Sequence, residues 1–358
     1  MNNKFKTQSI VILKNKGVKS MKLRNLFLLM LITSLFIINT GCSKSDSPTE
    51  PPVTLNEAKI LAEYLEANGD YINTSAPAIM TAQEIRDMQL ANPTKIYVID
   101  IRSASDYSTK GHIPGAINVA IKDIVTHIKS ITTSSYDRIA VACYSGQTAG
   151  YAVSLLRLLG YTNVYSMKWG MTSWNASCGD SWSTSIGNNY TGLVTTATAK
   201  AAAGELPTLN TGKTTGKEIL EARITQLLSS ADPFGDIKIT WGTVTGSLSN
   251  YYIVNYWPQA QYDLGHLPGA IQYTPKSDLK LSNNLKTLPT NKTIVLYCYT
   301  GQTSAQVVTY LKLLGYDAKS LLFGINVLSY DWAKTNSLSP FVAANEIKTF
   351  PFNTGVNP

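Results

Sequence analysis

Cys143-Tyr-Ser-Gly-Gln-Thr148 and Cys298-Tyr-Thr-Gly-Gln-Thr303 are two near-copies of one short pattern, 155 residues apart in the chain. Each copy follows an apolar run and opens a helix-patterned stretch that closes on Leu-Leu-Gly-Tyr. The windows 143–161 and 298–316 are identical at 11 of 19 positions. Such repetition predicts two copies of one domain, each with a cysteine on a tight loop between a buried strand and a helix.

A second repeated pattern precedes each cysteine loop. Gly111-His-Ile-Pro-Gly-Ala-Ile117 and Gly265-His-Leu-Pro-Gly-Ala-Ile271 are identical at six of seven positions. Ile96-Tyr-Val-Ile-Asp100 is a short apolar run of the kind found in buried parallel strands. The spacing of Thr81-Ala-Gln-Glu84 is that of a capping box and predicts the start of a helix. Strands that alternate with helices in each half predict the parallel α/β fold class.

The boundaries of the two domains follow from composition and from the repeat. Residues 186–212 are rich in Thr, Ala, Gly and Asn, which indicates a linker. Residues 235–250 have no clear counterpart in the first half, and we expect an inserted hairpin or loop there. The predicted organisation is an N-terminal helical segment at 56–77, a first domain at 78–185, the linker, a second domain at 213–345 and a C-terminal tail at 346–358.

The net charge of +8 does not indicate a nucleic-acid partner. Residues 1–42 contain seven basic side chains and no acidic ones, and the rest of the chain is almost neutral, with 24 basic against 23 acidic residues. A basic patch for a polyanion would have to lie on the folded domains. No nucleic-acid binding is therefore expected.

The basic N-terminus precedes the apolar run 26–38, which has the length and flanks of a secretory signal. We expect the signal at 1–41, with Met21 as an alternative start. Asn-Thr-Gly-Cys42 resembles the lipobox of bacterial lipoproteins, with Asn39 where Leu is usual. The resemblance implies lipidation of Cys42 and a tether at 42–55 that holds the protein at the bacterial cell envelope, on the outer membrane or facing the periplasm. The alternatives are an ordinary signal peptide or an uncleaved anchor.

Asp100-x-Arg102, then Gly-His-Ile-Pro-Gly-Ala, then Cys-x-x-Gly-x-Thr at the end of a strand resembles the rhodanese (thiosulfate sulfurtransferase) family. The resemblance covers about 78–180 and about 213–335. It implies two tandem domains, each a small parallel sheet flanked by helices on both faces. It also implies that Cys143 and Cys298 are nucleophiles that carry sulfane sulfur as a persulfide.

The chemistry of the loops follows from their place at a helix N-terminus. Backbone N–H groups and the helix dipole favour a thiolate, lower the cysteine pKa and suit an anionic donor. The implied partners are a small sulfur-containing anion as donor and a thiol or a cyanide-like acceptor, with no metal and no organic cofactor. Thr148 and Thr303 are expected to cap the helix or to offer a hydroxyl to the sulfur. The expected anion-binding residues are Tyr144, Ser145, Gly146, Gln147, Thr148, Tyr299, Thr300, Gly301, Gln302 and Thr303.

The two loops are short and neutral. Six residues from Cys to Thr match relatives that transfer sulfur, whereas relatives with seven-residue loops accommodate phosphate. Neither loop has the Arg or Lys often found in relatives selective for thiosulfate, so the physiological donor stays open.

The two halves differ outside the loops, where Asn255 and Trp257 stand in place of Asp100 and Arg102. We expect Asp100 and Arg102 to orient the first loop, which leaves the second site less organised and makes Cys143 the more competent nucleophile. Relatives that keep activity in the C-terminal copy offer the opposite precedent.

His112 and His266 are expected to fix their turns through backbone hydrogen bonds rather than to pair with a cysteine.

Two alternatives to a sulfurtransferase remain at this stage. A scaffold or binding protein could use the same fold with little turnover. A thiol-redox protein could pair Cys143 with Cys178, which is otherwise an unpaired cysteine.

Overall fold

The computed structural model describes residues 55–356 of the 358 in the chain. The expected signal at 1–41, with Met21, and the expected lipidation site Cys42 lie outside the described residues, as does nearly all of the tether at 42–55. Within 55–356, no helix combines the length and the apolar character needed to cross a bilayer.

Two parallel five-stranded sheets lie at the centres of the two domains. In chain order the strands are β1 Ile79–Met80, β2 Ile96–Asp100, β3 Ile117–Asn118, β4 Arg138–Ala142, β5 Val164–Met167, β6 Lys238–Ile239, β7 Tyr252–Asn255, β8 Ile271–Gln272, β9 Ile294–Tyr297 and β10 Ala318–Leu321. The sheet orders are β1-β5-β4-β2-β3 and β6-β10-β9-β7-β8, which is one topology used twice. The predicted pair of tandem α/β domains is confirmed.

The strands that lead into the cysteines occupy the middle of their sheets. All of β9 is buried, and β4 is buried from Ile139 onwards. A strand covered by helices on both faces needs an unbroken apolar run, and both strands have one. Cys143 and Cys298 therefore emerge at the carboxyl ends of central strands.

Helices cover the sheets and connect their strands. Within the described range the α-helices are α1 Glu57–Ala67, α2 Tyr71–Thr74, α3 Ala82–Ala91, α4 Ala104–Thr109, α5 Ile124–Ser130, α6 Gln147–Leu158, α7 Met171–Trp174, α8 Gly216–Leu228, α9 Trp241–Val244, α10 Gln259–Tyr262, α11 Gln302–Leu313, α12 Ile325–Leu328, α13 Tyr330–Thr335 and α14 Ala343–Glu346. Short 3-10 turns lie at Pro93–Lys95, Ile121–Asp123, Thr133–Ser135, Ala176–Cys178, Gly235–Ile237, Leu248–Asn250 and Leu285–Thr287.

Two helix starts show how local sequence sets the ends of elements. The predicted capping box at Thr81 is confirmed, because its hydroxyl accepts the N–H of Glu84 at 3.1 Å and the Glu84 carboxylate accepts the N–H of Thr81 at 2.6 Å. The helices after the cysteines begin at Gln147 and Gln302, because the preceding glycine serves as a left-handed N-cap.

The expectation of an inserted hairpin or loop at 235–250 is wrong. This stretch contains β6 and α9, and β6 pairs with β10 as β1 pairs with β5. It therefore supplies the edge strand and following helix that β1 and α3 supply in the first domain. A two-residue strand and a four-residue helix are too short to leave a periodic pattern in the sequence.

The segments outside the two repeats complete the Gly-His turns. Val194, in the predicted linker, exchanges two backbone hydrogen bonds of 2.9 Å with His266 of the second domain. Asn353, near the end of the described chain, exchanges bonds of 2.8 and 2.9 Å with His112 of the first domain. The C-terminal segment therefore returns to the first domain and pairs with its turn.

Helices α6 and α11 meet at the centre of the interface between the domains. A Cβ added at Gly150 would lie 2.9 Å from the carbonyl oxygen of Gln302, so glycine allows the close approach. The hydroxyl of Ser154 donates to the carbonyl of Gln306 at 2.8 Å, in the buried contact. The two cysteine loops, which open these helices, are therefore brought close to one another.

Candidate functional site

Each cysteine lies directly after the last residue of a central strand, and the next turn bends sharply into a helix. Gly146 and Gly301 adopt φ of +84° and +78°, which an L side chain rarely adopts. The bend points the following backbone N–H groups at the sulfur. Gly146 and Ala149 donate to Cys143 Sγ at 3.1 and 3.3 Å, and Gly301 and Ser304 donate to Cys298 Sγ at 3.2 and 3.3 Å.

At Cys143, burial and the loop amides shift the pKa of the thiol in opposite directions. Burial raises the pKa of the Cys143 thiol, although the N–H groups of Ala149, Ser145 and Gly146 each act to lower it. The charge of Asp100 adds to the increase. The expected lowering by the loop is thus present, but the loss of hydration outweighs it, and the expectation of a lowered pKa at Cys143 is wrong.

Asp100 and Arg102 form a buried ion pair next to the first loop. Arg102 Nη2 lies 2.7 Å from Asp100 Oδ2, and both side chains are almost fully buried. Burial lowers the pKa of Arg102, but the hydrogen bond to Asp100 and the charge of Asp100 together raise it by more than burial lowers it. The net shift is upward, so the guanidinium keeps its charge. Arg102 also donates to the carbonyls of Gly111, at 2.7 Å, and of Cys178, at 2.9 Å. The pair therefore ties the strand end to the Gly-His turn.

The second domain replaces this ion pair with an aromatic stack. Asn255 pairs with Tyr297 in the sheet as Asp100 pairs with Ala142, so Asn255 and Trp257 occupy the positions of Asp100 and Arg102. Trp257 stacks on Tyr299 of the loop with ring centroids 5.2 Å apart, and the Tyr299 hydroxyl donates to Gln261. The N–H to sulfur distances match those of the first loop, so the two loop backbones close around their sulfurs alike. The buried indole N–H of Trp257 has no hydrogen-bond partner among the described residues, whereas the Arg102 guanidinium donates to Asp100, Gly111 and Cys178.

Tyr144 occupies the position of Tyr299 in the first loop. The Arg102 guanidinium carbon lies 5.9 Å from the centre of its ring, and its hydroxyl accepts the N–H of Ser103 at 3.3 Å. Arg102 and Trp257 thus both provide a surface for the loop tyrosine.

The loop glutamines reach across the domain interface rather than toward the sulfur. Gln147 Oε1 accepts the N–H of Phe323 at 2.9 Å, and Gln302 Oε1 accepts the N–H of Trp169 at 3.4 Å. Both glutamines are buried. Among the residues expected to bind an anion, these two therefore hold the domains together through their side chains.

The serine and threonine side chains of the two loops were also expected to bind an anion. Ser145 Oγ accepts from the Gln147 side chain at 3.1 Å, and Thr300 Oγ1 accepts the N–H of Gln302 at 3.2 Å. Thr148 and Thr303 are the second residues of α6 and α11, and the helix caps are Gly146 and Gly301. Of the two roles expected for these threonines, helix capping is therefore wrong.

The two histidines are buried in their turns. Nδ1 of His112 lies 3.0 Å from the carbonyl of Tyr107, and Nδ1 of His266 lies 2.9 Å from the carbonyl of Tyr262. Each histidine ring also stacks on the ring of the tyrosine whose carbonyl it contacts, with centroids 3.7 Å apart for His112 and 3.5 Å apart for His266. A carbonyl only accepts, so Nδ1 is the donor in both contacts, and Nε2 of His266 lies 3.0 Å from a second carbonyl, that of Thr196. These contacts position the turns.

Cys143, Cys178 and Cys298 are free thiols. Burial raises the pKa of Cys178 to about 11, and Cys178 packs in the apolar cluster with Met171 and Trp174. Cys143 belongs to a different cluster of the core. A redox pair of these two cysteines has no structural support beyond their presence in one domain.

A cavity of about 350 Å³ opens at the second loop, where Cys298, Thr300 and Thr303 form part of its wall. Ile79 and Lys168 of the first domain also line it, together with Pro77 of the N-terminal segment. These three residues were not identified from the sequence. No local pattern could have revealed them, because their place depends on how the two domains pack.

The sequence model of the rhodanese-like domain family matches the chain twice, over residues 81–177 and 248–329, which together make up half of its length. The chain belongs to the rhodanese-like domain family. Each match contains four of the five strands of its sheet, all but the edge strands β1 and β6, and one cysteine loop.

The relatives of this rhodanese-like protein include named sulfurtransferases. Thiosulfate sulfurtransferase PspE of Escherichia coli is 33% identical over 66 residues, which are 18% of this chain and 62% of that protein. Thiosulfate sulfurtransferase GlpE of Pseudoalteromonas translucida is 31% identical over 91 residues, 25% of this chain and 83% of that protein. The solved structure of thiosulfate sulfurtransferase from Pseudomonas aeruginosa matches at 16% identity and a TM-score of 0.28, covering 85% of this chain and 48% of that one.

Proposed function

We propose that this rhodanese-like protein is a sulfurtransferase whose principal nucleophile is Cys298. The observation that carries the proposal is the setting of this cysteine: its sulfur accepts two backbone N–H groups, and the residue lines a cavity of about 350 Å³. Directed N–H groups stabilise a thiolate and a bound persulfide anion. The relatives named thiosulfate sulfurtransferases support the same class of reaction.

The reaction is a double displacement. The Cys298 thiolate attacks the outer sulfur of a donor such as thiosulfate, a bond forms between the two sulfurs, and sulfite leaves with the electron pair of the broken S–S bond. The enzyme then holds Cys–S–S⁻, and the total negative charge is the same on both sides. Cyanide or a thiolate attacks the terminal sulfur, and the cysteine thiolate leaves with the bonding pair.

Two features favour Cys298 over Cys143, which reverses the expectation from the sequence. Cys298 lines an open cavity. The pKa of the Cys143 thiol is raised by burial and also by the charge of Asp100, whereas at the position of Asp100 the second domain has the neutral Asn255.

The test compares wild type with Cys143→Ser, Cys298→Ser and the double variant. Each protein is incubated with thiosulfate, its intact mass is measured, and thiocyanate formation from cyanide is followed. We expect a gain of one sulfur mapped to Cys298, most activity retained in Cys143→Ser and most lost in Cys298→Ser. Wild-type turnover in the double variant would end the enzyme proposal, and a complete lack of turnover in wild type would favour the scaffold function.

We also propose that the protein is exported and lipid-anchored through Cys42 to the bacterial cell envelope. The basic start, the apolar run and Asn-Thr-Gly-Cys42 support this location. Cys42→Ala should move the protein from the membrane fraction to the soluble fraction and abolish its labelling by a fatty-acid probe. Membrane association unchanged by Cys42→Ala would contradict lipidation.

A further inference from the structure

The cavity at Cys298 is built by both domains, and its charge comes from the first. Among the described residues that line the cavity, Lys168 is the single lysine, arginine, aspartate or glutamate. The loop around Cys298 contributes neutral groups only. The wall of this cavity therefore includes one lysine, supplied by the other domain.

Backbone geometry explains why Lys168 reaches this place. Its N–H donates to the carbonyl of Met80 at 2.8 Å, which extends the β1–β5 pairing by one residue. Trp169 and Gly170 follow with φ of +65° and +61°, so the chain turns away directly after the lysine. Ile79, on β1 of the same sheet edge, lines the cavity too.

The ammonium of Lys168 is held loosely by its present neighbours. Nζ lies 3.6 Å from a carboxylate oxygen of Glu346 in α14 and 4.8 Å from the centre of the Trp169 ring. About a third of the lysine side chain and a quarter of the glutamate side chain are exposed. Ion pairs of this kind are weak, and the four-carbon stem of lysine is flexible. The ammonium can therefore exchange Glu346 for another anion.

We infer that Lys168 is a specificity-determining residue of the Cys298 site, where it binds the anionic end of the sulfur donor, and that Glu346 competes with the donor for it. This inference rests on the proposed function of Cys298 for its substrate, a small anion bearing sulfane sulfur. The negative group of such a donor, which leaves as sulfite or an equivalent, needs a counter-charge in a cavity otherwise lined by neutral groups.

The second domain offers no such charge at the equivalent place. The N–H of Leu322 donates to the carbonyl of Ile239 as that of Lys168 donates to Met80, so the position corresponds to leucine. Lys168 therefore acts at the Cys298 site and has no counterpart at the equivalent position of the second domain. The two cysteines are expected to differ in how fast they react with a charged reagent.

The test uses two alkylating reagents of similar size, anionic iodoacetate and neutral iodoacetamide, on wild type, Lys168→Gln, Lys168→Arg and Glu346→Gln. The measured quantity is the ratio of the iodoacetate rate to the iodoacetamide rate at each cysteine, mapped by peptide mass spectrometry. Cys143 is the internal control. The ratio cancels changes in thiolate fraction and exposure that affect both reagents alike.

At Cys298 we expect Lys168→Gln to lower the ratio by about 3- to 10-fold, Lys168→Arg to restore most of it and Glu346→Gln to raise it by about 2-fold. The ratio at Cys143 stays constant. In turnover with thiosulfate, Lys168→Gln raises KM more than it lowers kcat, and Glu346→Gln lowers KM.

Lys168→Gln and Glu346→Gln both break the same ion pair. Opposite effects of these two variants on the alkylation ratio at Cys298 are therefore the decisive outcome. If both change the ratio in the same direction, or neither changes it, the pair is only structural and the inference is overturned. The alkylation ratio does not depend on sulfur transfer. A protein that shows the expected ratios but takes up no sulfur would therefore overturn the proposed function and leave the role of Lys168 standing.

Discussion

The side-chain oxygen of Gln147, in the first cysteine loop, accepts a hydrogen bond of 2.9 Å from the backbone N–H of Phe323 in the second domain. Gln302 makes the reciprocal contact with Trp169, so each loop is tied to the strand end of the other domain. Both donor segments have a non-glycine residue at positive φ, +61° at Phe323 and +65° at Trp169. The interface therefore holds the cysteine loops and these strained turns as one unit.

Gln147→Met should destabilise the protein by about 1–3 kcal/mol, because it keeps the side-chain volume but leaves the N–H of Phe323 without its partner. Urea denaturation measures the change. Gln83→Met is the matched control, since Gln83 lies on the exposed face of α3 and should change the free energy of unfolding by less than about 0.5 kcal/mol. Equal effects of the two variants would contradict a role for Gln147 at the interface.

Gly301→Ala should cost more than the left-handed conformation alone. A Cβ at Gly301 would lie 2.8 Å from the nitrogen of Phe323, whereas a Cβ at Gly69, also at positive φ, would meet no atom within 4 Å. Gly69→Ala should lose about 1–2 kcal/mol of stability, and Gly301→Ala about 1–3 kcal/mol more because of the crowding. Thermal and urea unfolding of both variants measures the two losses of stability. Losses of similar size would contradict the prediction, because they would mean that the loop relieves the crowding around the new Cβ.

The ion pair of Asp100 and Arg102 should act as a unit. Arg102→Met leaves the buried carboxylate alone and should cost about 3–5 kcal/mol. Asp100→Asn combined with Arg102→Met leaves no buried charge and should be less costly than Arg102→Met by itself. A double-mutant cycle from urea unfolding should give a coupling energy above about 1 kcal/mol. Additive losses would contradict the buried pairing.

Alkylation of Cys143 should require a higher pH than that of an ordinary cysteine. Only the thiolate reacts, and burial raises the pKa of this thiol, so the rate should reach half its maximum above the usual value of about 8.5. The rate is measured with iodoacetamide in the Cys298→Ser variant between neutral and alkaline pH, at the Cys143 peptide. Asp100→Asn should move the midpoint downward, since Asp100 contributes to the raised pKa. A midpoint below that of free cysteine would contradict the effect of burial.

Asn353→Pro should loosen the C-terminal segment from the first domain. Proline removes the N–H that donates to the carbonyl of His112 at 2.9 Å, and the expected loss is about 1–2 kcal/mol of stability. Asn353→Ala keeps both backbone bonds and should be close to neutral. Limited proteolysis near residue 350 and urea unfolding measure the two effects. Equal resistance of both variants to protease would show that this pairing contributes nothing to the closure of the chain.

Much of this architecture was predictable from local pattern. Continuous apolar runs predict the central strands β4 and β9, the Thr81 capping box predicts α3, and the repeated cysteine loops predict two domains. The edge strand β6 was missed because two residues carry no periodic signal. The place of Gly146 as a helix cap was missed because a left-handed φ depends on the loop closing around the sulfur.

The sequence by itself determined the fold class, the repeat and the two cysteines at strand ends, because each of these depends on short-range pattern. Only the tertiary structure decided the environment of each sulfur. Packing of α6 against α11 turned the loop glutamines toward the opposite domain and brought Lys168 to the cavity of Cys298. Burial, not the loop sequence, sets the pKa of Cys143 above its usual value. The desolvation of a buried group and the contacts between domains depend on many residues that are distant in the chain. No short stretch of sequence determines them.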